Sequence, residues 1–160
     1  MPSWCQNELT VTGPEPELDR FLEAAAGTPI SPLLEAMPLC LDRLYPIPAC
    51  VDKYASVCDN AGANRCAWCM AHWGTEWDVG EAWGCEREGP ERLFLGFETA
   101  WTPPLAAFSE RIAPDFPRLA FRLRFEDGRG AFAGEREWQG GKLVRSEERE
   151  PFPEDAGGQR

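Results

Sequence analysis

The 160-residue sequence predicts an α+β domain in which one antiparallel sheet carries two helices on one face, with elements in the order β-α-β-β-α-β. Three observations predict it. Four stretches alternate apolar and polar residues, as strands buried on one side do. Two stretches space their apolar residues with helical period, one at i, i+3, i+4 and i+7 and the other at i, i+3 and i+7, as amphipathic helices do. Right-handed crossovers then put both helices on the same face and give the four strands the order 4-1-3-2.

Asn7-Glu8-Leu9-Thr10-Val11-Thr12-Gly13 is the first strand, with Leu9 and Val11 inward. From Pro14 to Ala26, acids in the first turn (Glu15, Glu17) precede Leu18, Phe21, Leu22 and Ala25, and Gly27 stops the helix. Residues 28–72 are an insertion in which Pro29, Pro32, Pro38, Pro46 and Pro48 forbid a long helix. Residues 75–83 and 93–99 read as an antiparallel hairpin joined by the polar stretch Gly84 to Pro90, with Trp77 and Trp83 inward. Trp68 and Trp73 are expected to lid the open edge beside the cysteines. Pro104 to Ala113 is a second, proline-started helix through Leu105, Phe108 and Ile112. Leu119, Phe121, Leu123 and Phe125 face inward on the cleanest strand, and Arg118, Arg122 and Arg124 face outward. A last hairpin joins Phe132–Gln139 to Lys142–Glu148 through Gly140-Gly141. The chain therefore divides into one ferredoxin-like domain over 1–148 and a flexible acidic tail over 149–160.

Seven cysteines, an odd number, and a start without basic and apolar segments argue for reduced thiols in a cytoplasmic protein rather than a secreted disulfide framework. No apolar run is long enough to span a membrane. The net charge of −11 is uneven. Residues 76–98 hold seven acids against Arg87 and Arg92, whereas 99–145 hold eight bases against six acids. Such a chain does not coat nucleic acid by counterion release. It is suited to a basic surface on a partner protein, and the bland alternative is that the charge only serves solubility.

Several blocks resemble the YubB ferredoxin-like domain family of phages and conjugative plasmids: Trp4-Cys5-Gln6-Asn7, Leu44-Tyr45-Pro46-Ile47-Pro48, Trp73-Gly74-Thr75-Glu76-Trp77-Asp78, Thr99-Ala100-Trp101-Thr102-Pro103-Pro104 and Phe132-Ala133-Gly134. Family members often carry Lys where Glu76 stands and Glu-Pro-Gly where Glu126-Asp127-Gly128 stands. The resemblance implies the fold and a setting on a mobile element. It implies no reaction.

One cluster has metal-like spacing, Cys58-x7-Cys66-x2-Cys69-x2-His72, which could close a tetrahedral structural zinc site with no open position for catalysis. Cys85 or Cys50 could replace His72. The bland alternative is four reduced, partly buried side chains. His72 is the sole histidine, and no Ser or Cys can be placed beside it for nucleophilic catalysis. Outward positions on strands one and three (Glu8, Thr10, Thr12; Phe94, Gly96, Glu98) make a poor base-stacking platform, and no phosphate loop follows a strand.

The leading expectation is a non-enzymatic, protein-binding accessory factor. Its most concrete form is an acidic inhibitor of a host defence nucleoprotein, such as a CRISPR effector or restriction enzyme. Glu76, Asp78, Glu81, Glu86, Glu88 and Glu91 would mimic nucleic-acid phosphates; Trp138 reads first as core and, where exposed, as a further contact. The alternative is a zinc-stabilised interaction module working through the insertion; a hydrolase using paired carboxylates comes third.

Overall fold

The computed structural model describes residues 3–28, 36–51 and 65–149, and the structural statements below concern these. A six-stranded antiparallel sheet runs β2-β3-β1-β4-β5-β6. Its strands are β1 (Trp4–Thr12), β2 (Ala82–Arg87), β3 (Arg92–Ala100), β4 (Ala120–Asp127), β5 (Ala133–Gln139) and β6 (Lys142–Arg149). The first four stand in the expected order 4-1-3-2. The terminal hairpin extends the sheet beside β4, so Arg122 and Arg124 lie inside the outer face and not on its edge.

β1 is central, pairing Leu9 with Leu95 on β3 and with Leu123 on β4. Its alternation puts Leu9 and Val11 on the buried face with Leu93, Leu95, Phe97, Phe121 and Leu123. Helix α1 (Glu15–Ala25) closes that face with Leu18, Phe21 and Ala25, and acids at its first turn suit the positive end of the helix dipole. The second helical segment joins α4 (Leu105–Ala107), a π-helical turn (Phe108–Ile112) and α5 (Ala113–Asp115). Phe108 packs edge-on to Phe121 and stacks on Trp138, with centroids 5.2 Å apart in the latter pair.

The insertion contributes α2 (Leu41–Leu44) and α3 (Arg65–His72). Leu41, Leu44, Ile47, Cys69 and Trp73 join the core. Trp73 is no lid, because its ring is buried and its indole N–H donates to the Tyr45 carbonyl at 2.9 Å.

One expected strand is misplaced. Residues 75–79 are irregular, and β2 occupies Ala82–Arg87, including residues expected to turn. The reason lies in competing partners. The Thr75 hydroxyl donates to the Ala100 carbonyl, and the Asp78 carboxylate is taken by α2, so this stretch has no ladder to join. Trp77 and Trp83 are in consequence exposed rather than inward. The terminal hairpin follows expectation, with Gly140 and Gly141 supplying the two positive φ angles (59° and 79°) that its tight turn requires.

Candidate functional site

The face of the sheet away from the helices carries two unlike halves. Over β4, β5 and β6, charges alternate in sign. Arg122 pairs with Glu135 and Glu137, and Arg145 with Glu137 and Glu147. Over β3, β2 and the loop before β2, Glu76 is half-buried while Glu81, Glu86, Glu88 and Glu91 are exposed. Only Glu88 has an ion pair among the described residues, to Arg92 at 2.9 Å. Arg87, the other cation of this hairpin, is drawn away to Asp19 on α1.

Aromatic rings stand among these acids. The ladder between β2 and β3 shifts register at Ala82/Gly84, and in that bulge Trp83 lies on the backbone of Gly96. A Cβ at Gly96 would stand 2.4 Å from the Trp83 indole nitrogen, so only glycine allows the ring to lie there. The ring is nonetheless 46% exposed. Phe94 is half-buried on the same face. At the end of the face Trp4 covers Gly80 and meets Trp77, whose centroid is 5.3 Å from that of Trp101. Trp101 is held at φ +62°, a costly conformation for a large side chain, by its N–H to the Ser3 carbonyl at 2.8 Å.

Two residues expected on a contact surface are elsewhere. Asp78 is buried, and its carboxylate accepts the N–H groups of Leu41, Asp42 and Val79 and the thiol of Cys40. It caps α2 from a distance and ties the insertion to the body. Burial pushes its carboxyl up from the ordinary carboxylate range, against the pull of these donors. Trp138 is buried as well. It faces Phe121 across β4 and β5, and its indole N–H donates to the Ser109 hydroxyl at 3.0 Å.

The cysteine cluster is only partly visible, since Cys58 lies outside the described residues. Cys66 and Cys69 are buried one helical turn apart on α3. Cys66 is disulfide-bonded, contrary to the expectation of thiols reduced throughout. Burial pushes the Cys69 thiol up to about 12, and burial with the Asp78 charge does the same to Cys40. Both are neutral near pH 7, the opposite of an activated nucleophile. Among the described residues no three His, Cys, Asp or Glu side chains are grouped to hold a metal ion.

His72 turns to other partners. Its Nδ1 lies 3.1 Å from the Tyr45 hydroxyl and 3.3 Å from Glu110 Oε2, with Trp68 tilted against the ring. The trio clasps the Tyr45 segment, α3 and the π-helical turn together at the surface. The carboxylate steadies the imidazole as an orienting group would, but no Ser or Cys is hydrogen-bonded to His72 among the described residues.

Sequence reasoning thus found the exposed acids and missed Trp77 and Trp83 as surface rings. A glycine in mid-strand at position 96 was the available signal, because such a glycine marks a close approach. Among the described residues no helix is long and apolar enough to cross a membrane.

The model of a family described as the ferredoxin-like domain in Api92-like protein matches residues 72–156. The crystal structure of the protein Api92 from Yersinia pseudotuberculosis is similar in fold, with a TM-score of 0.63 and 11% identity over 96% of this chain and 100% of that one. No curated protein matches the sequence.

Proposed function

The chain belongs to the family of ferredoxin-like domains in Api92-like proteins, and from that premise we propose that it is a non-enzymatic, protein-binding accessory factor whose β2–β3 hairpin docks on a basic surface. The observation that carries this reading is Trp83, seated on Gly96 yet half open to solvent, with Glu81 and Glu86 beside it unpaired among the described residues. An ordered ring on a rigid strand loses little freedom on binding, and tryptophan is the commonest interface anchor. Unpaired carboxylates around it steer a basic partner and penalise an acidic one.

In its most concrete form the factor inhibits a host defence nucleoprotein, with Glu76, Glu81, Glu86, Glu88 and Glu91 standing where nucleic-acid phosphates would lie. The resemblance to YubB domains of phages and plasmids supports that setting. The test is capture from bacterial lysate with wild type and with the Glu81→Lys/Glu86→Lys/Glu91→Lys variant. A nucleic-acid-binding protein held by wild type, released by high salt and absent from the variant's eluate is the expected result. Capture of the same partner by the variant would overturn the reading.

A further inference from the structure

The two edges of the sheet are built differently, and the β2 edge has the features of a strand-accepting site. The register fixes which backbone groups are free there. The Glu88 N–H donates to the Arg92 carbonyl at 2.9 Å, and Glu86 faces Phe94 and Gly84 faces Gly96 in the same ladder. Because hydrogen-bonding direction alternates along a strand, Gly84, Glu86 and Glu88 are spent on β3. Cys85 and Arg87 therefore direct their N–H and C=O groups away from the sheet. No hydrogen bond to these groups occurs among the described residues, where β2 is the last strand.

Sheet edges in this condition pair with whatever strand fits them unless something prevents it. A second copy is penalised at this edge, since Glu81, Glu86 and Glu88 would face their own counterparts. An extended segment with Lys or Arg at alternate positions is favoured for the same reason. On the outer face its side chains would fall opposite Gly84, Glu86 and Glu88. The two glutamates there take the cations. Beside Gly84, which has no side chain in the way, an arginine plane can lie against the exposed Trp83 ring.

We propose that the free edge of β2 accepts an extended basic segment of a partner protein by β-strand addition, with Cys85 and Arg87 supplying the backbone bonds and Trp83, Glu86 and Glu88 reading the alternating cations. This deepens the protein-binding reading above and rests on it, but the two can fail separately.

The probe is a heptapeptide of alternating arginine and valine, added to the full chain and followed by amide hydrogen exchange and by titration of tryptophan fluorescence. Strand addition predicts that the Cys85 and Arg87 amides, open in the free protein, become protected by about tenfold or more, while the Gly84 and Glu86 amides change little. Cys85→Pro removes one outward N–H and leaves the β3 ladder intact, as proline on an exposed edge can. It should weaken the peptide about tenfold with an unchanged melting temperature, the scale of one lost hydrogen bond. The exchange measurement needs no variant and decides the matter if Cys85→Pro folds poorly. Binding without protection at Cys85 and Arg87, or no binding of the peptide to wild type, would overturn strand addition. Binding that is unprotected but abolished by Glu81→Lys/Glu86→Lys/Glu91→Lys would leave the charge-based reading standing. Unprotected binding that the charge reversal does not touch would end both.

Discussion

The hairpin β2–β3 and the hairpin β5–β6 close opposite ends of one sheet, and each contains a tryptophan at a strand position. In β5–β6 the tryptophan is inside. Trp138 stacks on Phe108 and gives its N–H to Ser109, while Glu135, Glu137, Arg145 and Glu147 pair with one another and with Arg122 on the outer face. In β2–β3 the tryptophan is outside, and Glu81, Glu86, Glu88 and Glu91 are exposed, with only Glu88 in an ion pair among the described residues. Each edge strand carries a register shift, β2 at Ala82/Gly84 and β6 at Glu137/Trp138, the latter beside the exposed Leu143 and Val144. One hairpin spends its ring and charges on the fold, and the other leaves them to solvent. Stability and recognition are thereby separated in space, and the separation can be attacked residue by residue.

The largest effect belongs to the frame that both hairpins share. Burial raises the thiols of Cys5, Cys40 and Cys69 from 9.0 to about 12. A group whose folded pKa is raised contributes stability that is complete below its unfolded value. That contribution is lost as pH rises from 9 towards 12. The loss is about 1.4 kcal/mol per thiol for each pH unit in this window. Denaturant melts between pH 8 and 11 should show it, and mutating either hairpin's tryptophan should leave the slope unchanged.

Next comes Trp138→Ala, expected to cost about 4 kcal/mol in urea unfolding because it empties a buried ring site against Phe108. Asp78→Asn follows at about 2 kcal/mol, since an amide turns donors toward the N–H groups of Leu41, Asp42 and Val79. The carboxyl's raised pKa fixes the sign of its pH dependence. Its contribution is complete below the ordinary carboxylate range and is lost as pH rises through the raised value, a component that the Asn variant's pH–stability curve should lack.

Trp83→Ala reverses the pattern of Trp138→Ala. It should change stability by less than about 0.5 kcal/mol, as exposed positions do, yet weaken partner binding in a direct titration. Smallest of all is Leu143→Ser/Val144→Lys on β6, where binding should not change. A loss of binding there would move the recognition surface to the other edge and break the comparison.

Much of this frame was legible in the sequence. Leu119, Phe121, Leu123 and Phe125 alternate cleanly, and Leu18, Phe21 and Ala25 mark one side of a helix, so strand order and the covered face follow from period and handedness. What escaped was set by contacts distant in sequence. Asp78 looks like an outward strand residue until α2 brings the N–H groups of Leu41 and Asp42 to it from more than 35 positions away. Trp138 sits among charged residues, and only the register opposite Phe121 turns it inward. Trp83 looked like core by parity because the bulge at Ala82/Gly84 leaves no trace in apolar periodicity. The acids Glu81, Glu86, Glu88 and Glu91 were legible because a polar, turn-rich stretch stays at the surface whether it is strand or loop.

The separation of roles is tested most directly by measuring one captured partner against three proteins side by side: wild type, Glu81→Lys/Glu86→Lys/Glu91→Lys, and a β5–β6 variant in which Arg145 and Glu137 are exchanged. The account predicts that the first and third bind alike and the second does not bind at physiological salt, with all three melting within a few degrees of one another. Equal binding by all three, or loss only in the β5–β6 variant, would contradict it.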